Sequence, residues 1–243
     1  MTKKIILITG AAKGLGAALA RHLANSGYLV AVHYRTSRHE ASALIRQIQS
    51  TGGLAQAFQA DLSIQREAEA LLHSIHNTFG DEASLFALIN NAGTYHDKNL
   101  YNLTETEWLS GLHSTATATF HTIRAALPYL RKTERARIIN IGDSGCDRPT
   151  ARDLAISYHI GKVGVYMLTR SFARTEARYG ITVNLISPGW LENSINLPPP
   201  STIPAGRYGT FQDVASAVDF LLSPTSQYLT GSNLILSGGW NLR

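Results

Sequence analysis

The chain has 243 residues, of which 44% are hydrophobic and 16% are charged, a balance typical of a compact globular domain. No apolar stretch reaches the roughly 18–20 residues of a membrane span, and the net charge of +5 comes from scattered lysines and arginines, so neither a membrane nor a nucleic-acid partner is expected. The lone cysteine, Cys146, excludes an internal disulfide and indicates a cytoplasmic protein, with no room for a cleaved signal before the first strand.

Segments typical of strands and of helices alternate along the chain. The strands are predicted near 5–9, 29–34, 54–59, 85–90, 137–142, 181–186 and 233–236. The helices are predicted near 14–26, 38–50, 65–79, 104–131, 157–179 and 211–222. This alternation indicates a single α/β domain over residues 1–243, with a doubly wound parallel sheet of about seven strands and helices on both faces.

Two predicted helices begin with a capping box, in which a threonine precedes an acidic residue by three positions. These pairs are Thr104 with Glu107 and Thr210 with Asp213. The segment 188–209 lacks a clear period. A loop of that length in a compact domain is typical of a functional lid, which we place near 190–208.

A glycine-rich turn follows the first predicted strand. The apolar run Ile5–Ile8 leads into Thr9–Gly16, with glycines at 10, 14 and 16, and a helix rich in alanine and leucine comes next. Glycines in this context let backbone N–H groups approach a pyrophosphate at the positive end of a helix. The turn therefore predicts a dinucleotide site in preference to a tight turn without a ligand.

Tyr158 and Lys162 lie four residues apart on a predicted helix, so the phenol and the ammonium share one helix face. An ammonium beside a phenol favours the phenolate, and we expect Lys162 to lower the pKa of Tyr158. The phenol then becomes usable for proton transfer. The pair alone is a weak signal, whereas the pair together with the glycine turn is a strong one.

Polar and small residues follow several of the predicted strands. Because ligands of doubly wound sheets bind at the carboxyl ends of the strands, these segments are expected to meet the glycine turn in one crevice. The segments are Asp61, Asn90–Gly93, Asp143–Ser144 and Ser187–Gly189.

The combination resembles the short-chain dehydrogenase/reductase family over essentially the whole chain. The resemblance implies a Rossmann-type fold and a nicotinamide cofactor, and it says little about the substrate. It rests on motifs in the family's order: the glycine turn at 9–16, Asp61-Leu62, Asn90–Gly93, Tyr158 with Lys162, Pro188-Gly189, Tyr228–Gly231 and Gly238-Gly239.

The resemblance also implies individual roles, with Tyr158 as the acid/base and Lys162 holding the nicotinamide ribose. The residues implied to surround the cofactor phosphates are Gly10, Lys13, Gly14, Leu15 and Gly16. Those implied to contact the adenosine half are Asp61, Leu62, Asn91, Ala92 and Gly93. Those implied to line the nicotinamide are Pro188, Gly189 and Leu191.

Cofactor choice is argued from charge at the end of the second predicted strand. NAD users commonly have an acid there that binds the ribose 2′-hydroxyl, and this strand has none. A 2′-phosphate requires a guanidinium and further donors, which the sequence supplies after Tyr34. The residues are Arg35, Thr36 and Ser37, with Lys13 from the turn. We therefore expect NADPH, and reduction as the working direction.

The chain departs from the family pattern at two positions. Asp143 aligns with the serine that holds the substrate carbonyl in most relatives, and Ser144 comes one residue later. Either residue is a candidate for that role, with Asp143 protonated as a donor or charged as an acceptor of a substrate N–H. Thr115 lies where most relatives have an asparagine that holds a proton-relay water.

The hypothesis is an NADPH-dependent reductase of a carbonyl substrate, such as a 3-oxoacyl thioester, with Tyr158 as proton donor. Asp143 and the segment His33–Arg35 are also similar to pteridine reductases, which reduce a C=N bond. A non-catalytic NADP(H)-sensing protein is the alternative of another class. No metal site is expected. The resemblance suggests a homo-oligomer, either a tetramer or a dimer, built partly through the helices at 104–131 and 157–179.

Overall fold

The computed structural model describes residues 3–148 and 150–242, and in this part of the chain it contains a single seven-stranded sheet. The strands are β1 (Lys3–Ile8), β2 (Leu29–Tyr34), β3 (Leu54–Gln59), β4 (Ala83–Asn90), β5 (Arg137–Ile141), β6 (Thr182–Pro188) and β7 (Asn233–Leu236). All neighbouring strands are parallel, in the order β3-β2-β1-β4-β5-β6-β7. The predicted doubly wound α/β fold is confirmed.

Helices cover both faces of this sheet. They are α1 (Gly14–Asn25), α2 (Arg38–Ser50), α3 (Gln65–Phe79), α4 (Glu105–Leu112), α5 (Ala118–Leu130), α6 (Ile156–Glu176) and α7 (Phe211–Leu222). Apolar residues of α1, α2 and α7 join the core on one face, and those of α3 and α5 join the core on the other. None of the helices in the described ranges is long and apolar enough to cross a membrane.

The strands contribute to both cores because successive side chains point to opposite faces of a sheet. In β1, Ile6 and Ile8 lie in the core beside α1, while Ile5 and Leu7 lie in the core beside α3. This double burial explains why the last four residues of β1, Ile5–Ile8, form an apolar run without polar alternation.

Both predicted capping boxes are confirmed. Thr104 and Thr210 each accept a hydrogen bond from the backbone N–H three residues later, and the acidic side chain there accepts one from the backbone of the threonine. The uninterrupted helix predicted over 104–131 is wrong in one respect. A π-helical turn, His113–Thr117, separates α4 from α5.

The order of the strands determines where a ligand binds. The chain moves outward from β1 to β2 and β3, then returns to the other side of β1 with β4. Loops leave these strands in opposite directions at the carboxyl edge, which opens a crevice there. All the segments predicted to form the site follow strands that end at this edge.

Candidate active site

Two adjoining cavities open at the carboxyl edge of the sheet. The first, the turn cavity, measures about 250 Å³ and is lined by the glycine turn, the end of β2 and the segments after β3 and β4. The second, the tyrosine cavity, measures about 580 Å³ and is lined by α6 and the segments after β5 and β6. Asn91 lines both cavities, so one elongated ligand can occupy them together.

Most of the predicted site residues line one of the two cavities. Those of the turn cavity are Gly10, Lys13, Tyr34, Arg35, Thr36, Ser37, Asp61, Leu62, Asn91, Ala92 and Gly93. Those of the tyrosine cavity are Leu15, Asp143, Ser144, Tyr158, Lys162, Pro188, Gly189 and Leu191. Gly14, Gly16 and Thr115 line neither cavity, so their contribution is to the backbone path and the packing around it.

The glycine turn has a geometry that favours glycine. Gly10 and Gly14 have positive φ angles of 61° and 52°, which favour glycine. A Cβ on Gly16 would lie 2.6 Å from the carbonyl oxygen of Gly10 and 2.7 Å from the side-chain nitrogen of Asn91. The turn therefore brings the start of α1 against the end of β1.

The N-terminus of α1 is suited to an anion. No side chain caps it, and its first turn contains no acidic residue. Its first N–H groups have no partner within the helix, and the helix dipole is positive at this end. A phosphate group at this end of the turn cavity therefore satisfies both the hydrogen bonds and the charge.

Asn91 and Thr9 hold the turn against the end of β4. The amide of Asn91 donates to the carbonyls of Thr9 at 3.0 Å and Gly10 at 3.1 Å. The hydroxyl of Thr9 accepts hydrogen bonds from the backbone N–H groups of Asn91 and Ala92. The role of Asn91 in this structure is thus to fix the turn.

His33 is hydrogen-bonded to the glycine turn, a role that was not predicted from the sequence. Its Nδ1 accepts a hydrogen bond from the N–H of Gly10 at 3.1 Å, and its Nε2 lies 3.1 Å from the carbonyl oxygen of Ala60. Burial lowers the pKa of His33 to about 4, so the ring is neutral at pH 7. A neutral ring has one donor and one acceptor, which these two partners satisfy.

The end of β2 presents the charges predicted to bind a 2′-phosphate. Lys13 is paired with Glu40 of α2 at 2.6 Å, so part of its charge is balanced within the protein. Arg35 forms no salt bridge with the described residues, and it lines the turn cavity with Thr36 and Ser37. Arg35 is therefore the main source of uncompensated positive charge in this group.

Lys162 is buried beside Tyr158. Its ammonium donates to the carbonyl oxygen of Ile141, at the end of β5, at 2.6 Å, and lies 5.3 Å from the centre of the Tyr158 ring. Burial lowers the pKa of Lys162 to about 8, against the opposing effect of the Asp143 carboxylate. Two of the three ammonium protons remain for a ligand.

The expectation that Lys162 lowers the pKa of Tyr158 is wrong. Burial raises this pKa well above the usual tyrosine value, and the negative charge of Asp143 raises it further. The Lys162 ammonium does not offset these two effects. Tyr158 therefore retains its proton at neutral pH.

Asp143 is a carboxylate held by neighbours that were not predicted. One oxygen lies 2.6 Å from Nδ1 of His159, and the other accepts the N–H of Gly145 at 2.8 Å and lies 3.6 Å from a guanidinium nitrogen of Arg152. Burial alone raises its pKa, but the hydrogen bond from His159 and these other partners more than reverse that effect, so the pKa is lowered. The alternative of a protonated, donating Asp143 is therefore wrong.

Ser144 lies next to Asp143 and is 2% exposed. Its backbone N–H donates to the carbonyl of Pro188, which fixes the segment after β5 against the end of β6. Its hydroxyl makes no hydrogen bond with the described residues, although the side chain lines the tyrosine cavity. This hydroxyl is therefore available to a ligand, in contrast to the carboxylate of Asp143.

Thr115 lies in the π-helical turn and is completely buried. Its hydroxyl donates to the carbonyl oxygen of Gly111 at 2.6 Å. A Cβ added to Gly93 would lie 3.2 Å from the methyl carbon of Thr115, and it would also come close to the ring of Tyr158. Because its hydrogen is committed to the backbone, Thr115 retains only acceptor capacity toward a relay water.

Comparisons with known proteins agree with this arrangement. A family model described as enoyl-(acyl carrier protein) reductase matches residues 10–241. The chain is 34% identical over 247 residues to the 3-oxoacyl-[acyl-carrier-protein] reductase FabG of Staphylococcus aureus, which covers 98% of each chain.

Two solved structures extend the likeness to the whole fold. A gluconate 5-dehydrogenase from Burkholderia cenocepacia, in complex with NADP and tartrate, has a TM-score of 0.89 and 26% identity over 100% of this chain and 97% of its own. A short-chain dehydrogenase/reductase of Serratia marcescens has a TM-score of 0.87 and 27% identity over 98% of each chain. With a family model that spans nearly all its residues and relatives that match it from end to end, the chain belongs to the short-chain dehydrogenase/reductase family of oxidoreductases.

Proposed function

We propose that the protein is an NADPH-dependent reductase that transfers hydride to a carbonyl carbon and uses Tyr158 as the proton donor. The observation that carries this proposal is the pairing of Tyr158 with Lys162 in a cavity that adjoins the glycine turn. A donor must hold its proton at the working pH, and burial raises the pKa of Tyr158 above its usual value.

The turn cavity fits the phosphate-bearing half of NADPH. Its uncapped helix start suits the pyrophosphate, and Arg35 with two neighbouring hydroxyls suits a 2′-phosphate. The similar gluconate 5-dehydrogenase was solved with NADP bound, which supports the same choice. When bound, the cofactor supplies the hydride that the side chains of this protein cannot supply.

The residues of the tyrosine cavity have separate tasks in this proposal. Tyr158 gives its proton to the oxygen of the reduced carbonyl, and Lys162 holds the ribose with its remaining N–H groups. The free hydroxyl of Ser144 donates to the carbonyl oxygen of the substrate, while Asp143 is occupied by His159 and Gly145. Ser144 is therefore favoured over Asp143 as the orienting residue.

The segment near 190–208 serves as the lid in this proposal. Asn196 donates to Asp97, in the segment after β4, at 3.0 Å, and Trp190 packs edge-to-face against Trp240. Within the segment, the hydroxyl of Tyr208 donates to the carbonyl of Pro198. Such a cover excludes water from the reacting groups.

A carbonyl substrate is favoured over the two alternatives. Reduction of a C=N bond by a pteridine reductase-like site requires Asp143 to accept a substrate N–H in addition to the hydrogen bonds that its two oxygens already accept from His159 and Gly145, whereas the hydroxyl of Ser144 makes no hydrogen bond with the described residues. A non-catalytic NADP(H)-sensing protein has no need for the buried Tyr158 and Lys162 pair. The similarity to 3-oxoacyl-[acyl-carrier-protein] reductases also supports a carbonyl.

The test is an NADPH-oxidation assay with acetoacetyl thioesters, simple ketones, quinones and dihydropterins. We expect the wild type to reduce at least one carbonyl substrate and to use NADPH in preference to NADH. Tyr158→Phe is expected to lower kcat by at least about 1,000-fold, because it removes the proton donor, while NADPH binding followed by fluorescence stays within about twofold.

The same assay separates Ser144 from Asp143. Ser144→Ala is expected to lower kcat with little effect on NADPH binding, because a donor to the developing oxyanion is lost. Retained turnover in Tyr158→Phe, or preference for NADH in the wild type, would refute the proposed function. Turnover of dihydropterins alone would instead support reduction of C=N.

A further inference from the structure

We propose that Arg152 binds a carboxylate of the substrate, so that the protein acts on oxo acids in preference to the corresponding neutral ketones and esters. This inference rests on the proposed function, since it names the substrate class of the same cavity. Arg152 belongs to the loop between β5 and α6, and its side chain lines the tyrosine cavity with Tyr158.

The guanidinium of Arg152 has donors that the protein leaves unsatisfied. It presents five N–H groups, and it makes no hydrogen bond with any residue in the described ranges. Its nearest carboxylate oxygen, on Asp143, is 3.6 Å away. Each oxygen of Asp143 already accepts a closer hydrogen bond, from His159 or from Gly145. Because the Arg152 side chain is only 22% exposed, water satisfies just part of this capacity.

A further donor belongs to Trp190, which also lines the cavity. The indole N–H of Trp190 is buried and has no partner among the described residues. Asp153 is the other acid that lines the cavity; it is exposed and forms no salt bridge with the described side chains. A ligand with acceptor oxygens complements these donors, and a carboxylate complements the guanidinium of Arg152.

A carboxylate matches Arg152 in shape as well as in charge. The planar guanidinium forms two parallel N–H···O bonds with a carboxylate, an arrangement that lysine cannot reproduce. The similar gluconate 5-dehydrogenase was solved with tartrate, a dicarboxylate, in its complex. The cavity, at about 580 Å³, has room for a small oxo acid beside a nicotinamide.

Gly145 determines where the guanidinium lies. A Cβ added to Gly145 would overlap Nη2 of Arg152, so the arginine occupies the space that any larger residue would fill. The obstruction is the end of a flexible side chain, so an alanine at 145 is expected to displace the guanidinium and leave the fold intact. Gly145→Ala thus moves the charge without removing it.

The experiment compares matched pairs of substrates with the NADPH-loaded protein: acetoacetate with methyl acetoacetate, and levulinate with methyl levulinate. We expect the wild type to reduce the acid with a higher kcat/KM than its ester. Arg152→Gln and Gly145→Ala are each expected to lower kcat/KM for the acid roughly 10- to 100-fold, mainly through KM, with the ester changed less than about twofold. Arg148→Ala, in the same loop but outside the cavity, serves as the matched control.

A binding measurement keeps this inference separate from the proposed function. Tartrate is titrated into the NADP-loaded protein by calorimetry, and Arg152→Gln is expected to weaken its binding by a similar factor. Equal kcat/KM for acid and ester in the wild type, or tartrate binding unchanged by both Arg152→Gln and Gly145→Ala, would overturn the inference. If no carbonyl compound is reduced while tartrate binding still depends on Arg152, the proposed function fails and the carboxylate site stands.

Discussion

His33 illustrates how a single buried residue links the cofactor cavity to the stability of the fold. Its ring joins the glycine turn to the segment after β3 by two hydrogen bonds that require the neutral form. Burial lowers its pKa to about 4; the carbonyl of Ala60 and the charge of Asp61 act in the opposite direction, and Arg35 adds to the lowering. In the unfolded chain the pKa returns to about 6.5.

This difference predicts a loss of stability in mild acid. Between pH 6.5 and 4 the unfolded chain binds a proton that the folded His33 does not, so the free energy of unfolding falls as pH falls. The expected contribution of His33 is a loss of about 2 kcal/mol between pH 7 and pH 5, rising to about 3 kcal/mol below pH 4. Urea titrations at pH 7 and pH 5 measure it.

His33→Gln is the variant that isolates this effect, because glutamine keeps a donor and an acceptor but does not titrate in this range. We expect the pH dependence of its unfolding free energy to be smaller than that of the wild type by about 2 kcal/mol. His39→Gln, an exposed residue of α2, is the control and should retain the wild-type dependence. An identical dependence in His33→Gln would contradict the assignment.

At the residue scale, sequence motifs with a fixed spacing predicted the positions of candidate site residues. The glycine turn, Asn91 and the Tyr158 and Lys162 pair came from such motifs, and the structure places them around adjoining cavities. His159 and Arg152 carry no such spacing. Their contacts with Asp143 depend on the path of the loop at 144–156, and that path follows from tertiary packing and not from local pattern.

At the scale of elements, local signals located helix starts better than helix interruptions. Both capping boxes marked the first residue of a helix, because their hydrogen bonds are local to four residues. The sequence does not predict the π-helical turn at His113–Thr117, because the pattern of its residues is also compatible with a continuous α-helix. Such turns are frequently found at functional sites, and this one brings Thr115 close to Gly161 and Gly93.

Arg137 shows a contact between elements that no pattern predicted. It starts β5 and is 1% exposed, without any acidic partner among the described residues. Its guanidinium donates to the carbonyls of Leu221 and Ser223, at the end of α7, and to the side chain of Gln227. A cation at a helix C-terminus satisfies the last carbonyls and complements the dipole.

Arg137→Met is expected to destabilise the fold by about 2–4 kcal/mol, because it removes the buried hydrogen bonds that the guanidinium donates to these carbonyls and to Gln227. Chemical denaturation measures the change. Arg137→Lys should recover part of the loss, and Arg174→Met, on the exposed face of α6, should change little. Since Arg137 lies at the opposite end of β5 from the site, kcat of the folded protein is expected to stay unchanged. A fully stable Arg137→Met would rule out this capping role.

At the scale of the whole molecule, helices bury both faces of the sheet, but α4, α5 and α6 leave some apolar residues exposed to solvent. Leu109 of α4, Phe120 of α5 and Ile160 and Met167 of α6 are all exposed. Ile160 and Met167 lie seven residues apart, which is two helical turns and one face. Exposed apolar residues grouped on adjacent elements mark a surface for association.

We therefore expect the protein to be a homo-oligomer, either a tetramer or a dimer, whose subunits meet through the helices at 104–131 and 157–179. Met167, at 64% exposure, lies on this face, so Met167→Glu is expected to place a charge in the contact and to yield a smaller assembly in sedimentation at micromolar concentration. Leu54→Glu, on the exposed start of β3 far from α6, is the control and should sediment as the wild type does. A wild-type protein that sediments as a clean monomer would contradict the expectation, and an unchanged assembly in Met167→Glu would move the interface to another face. Association through α6 also bears on catalysis, because the same helix carries Tyr158 and Lys162 on its inner side and an interface would hold it in place.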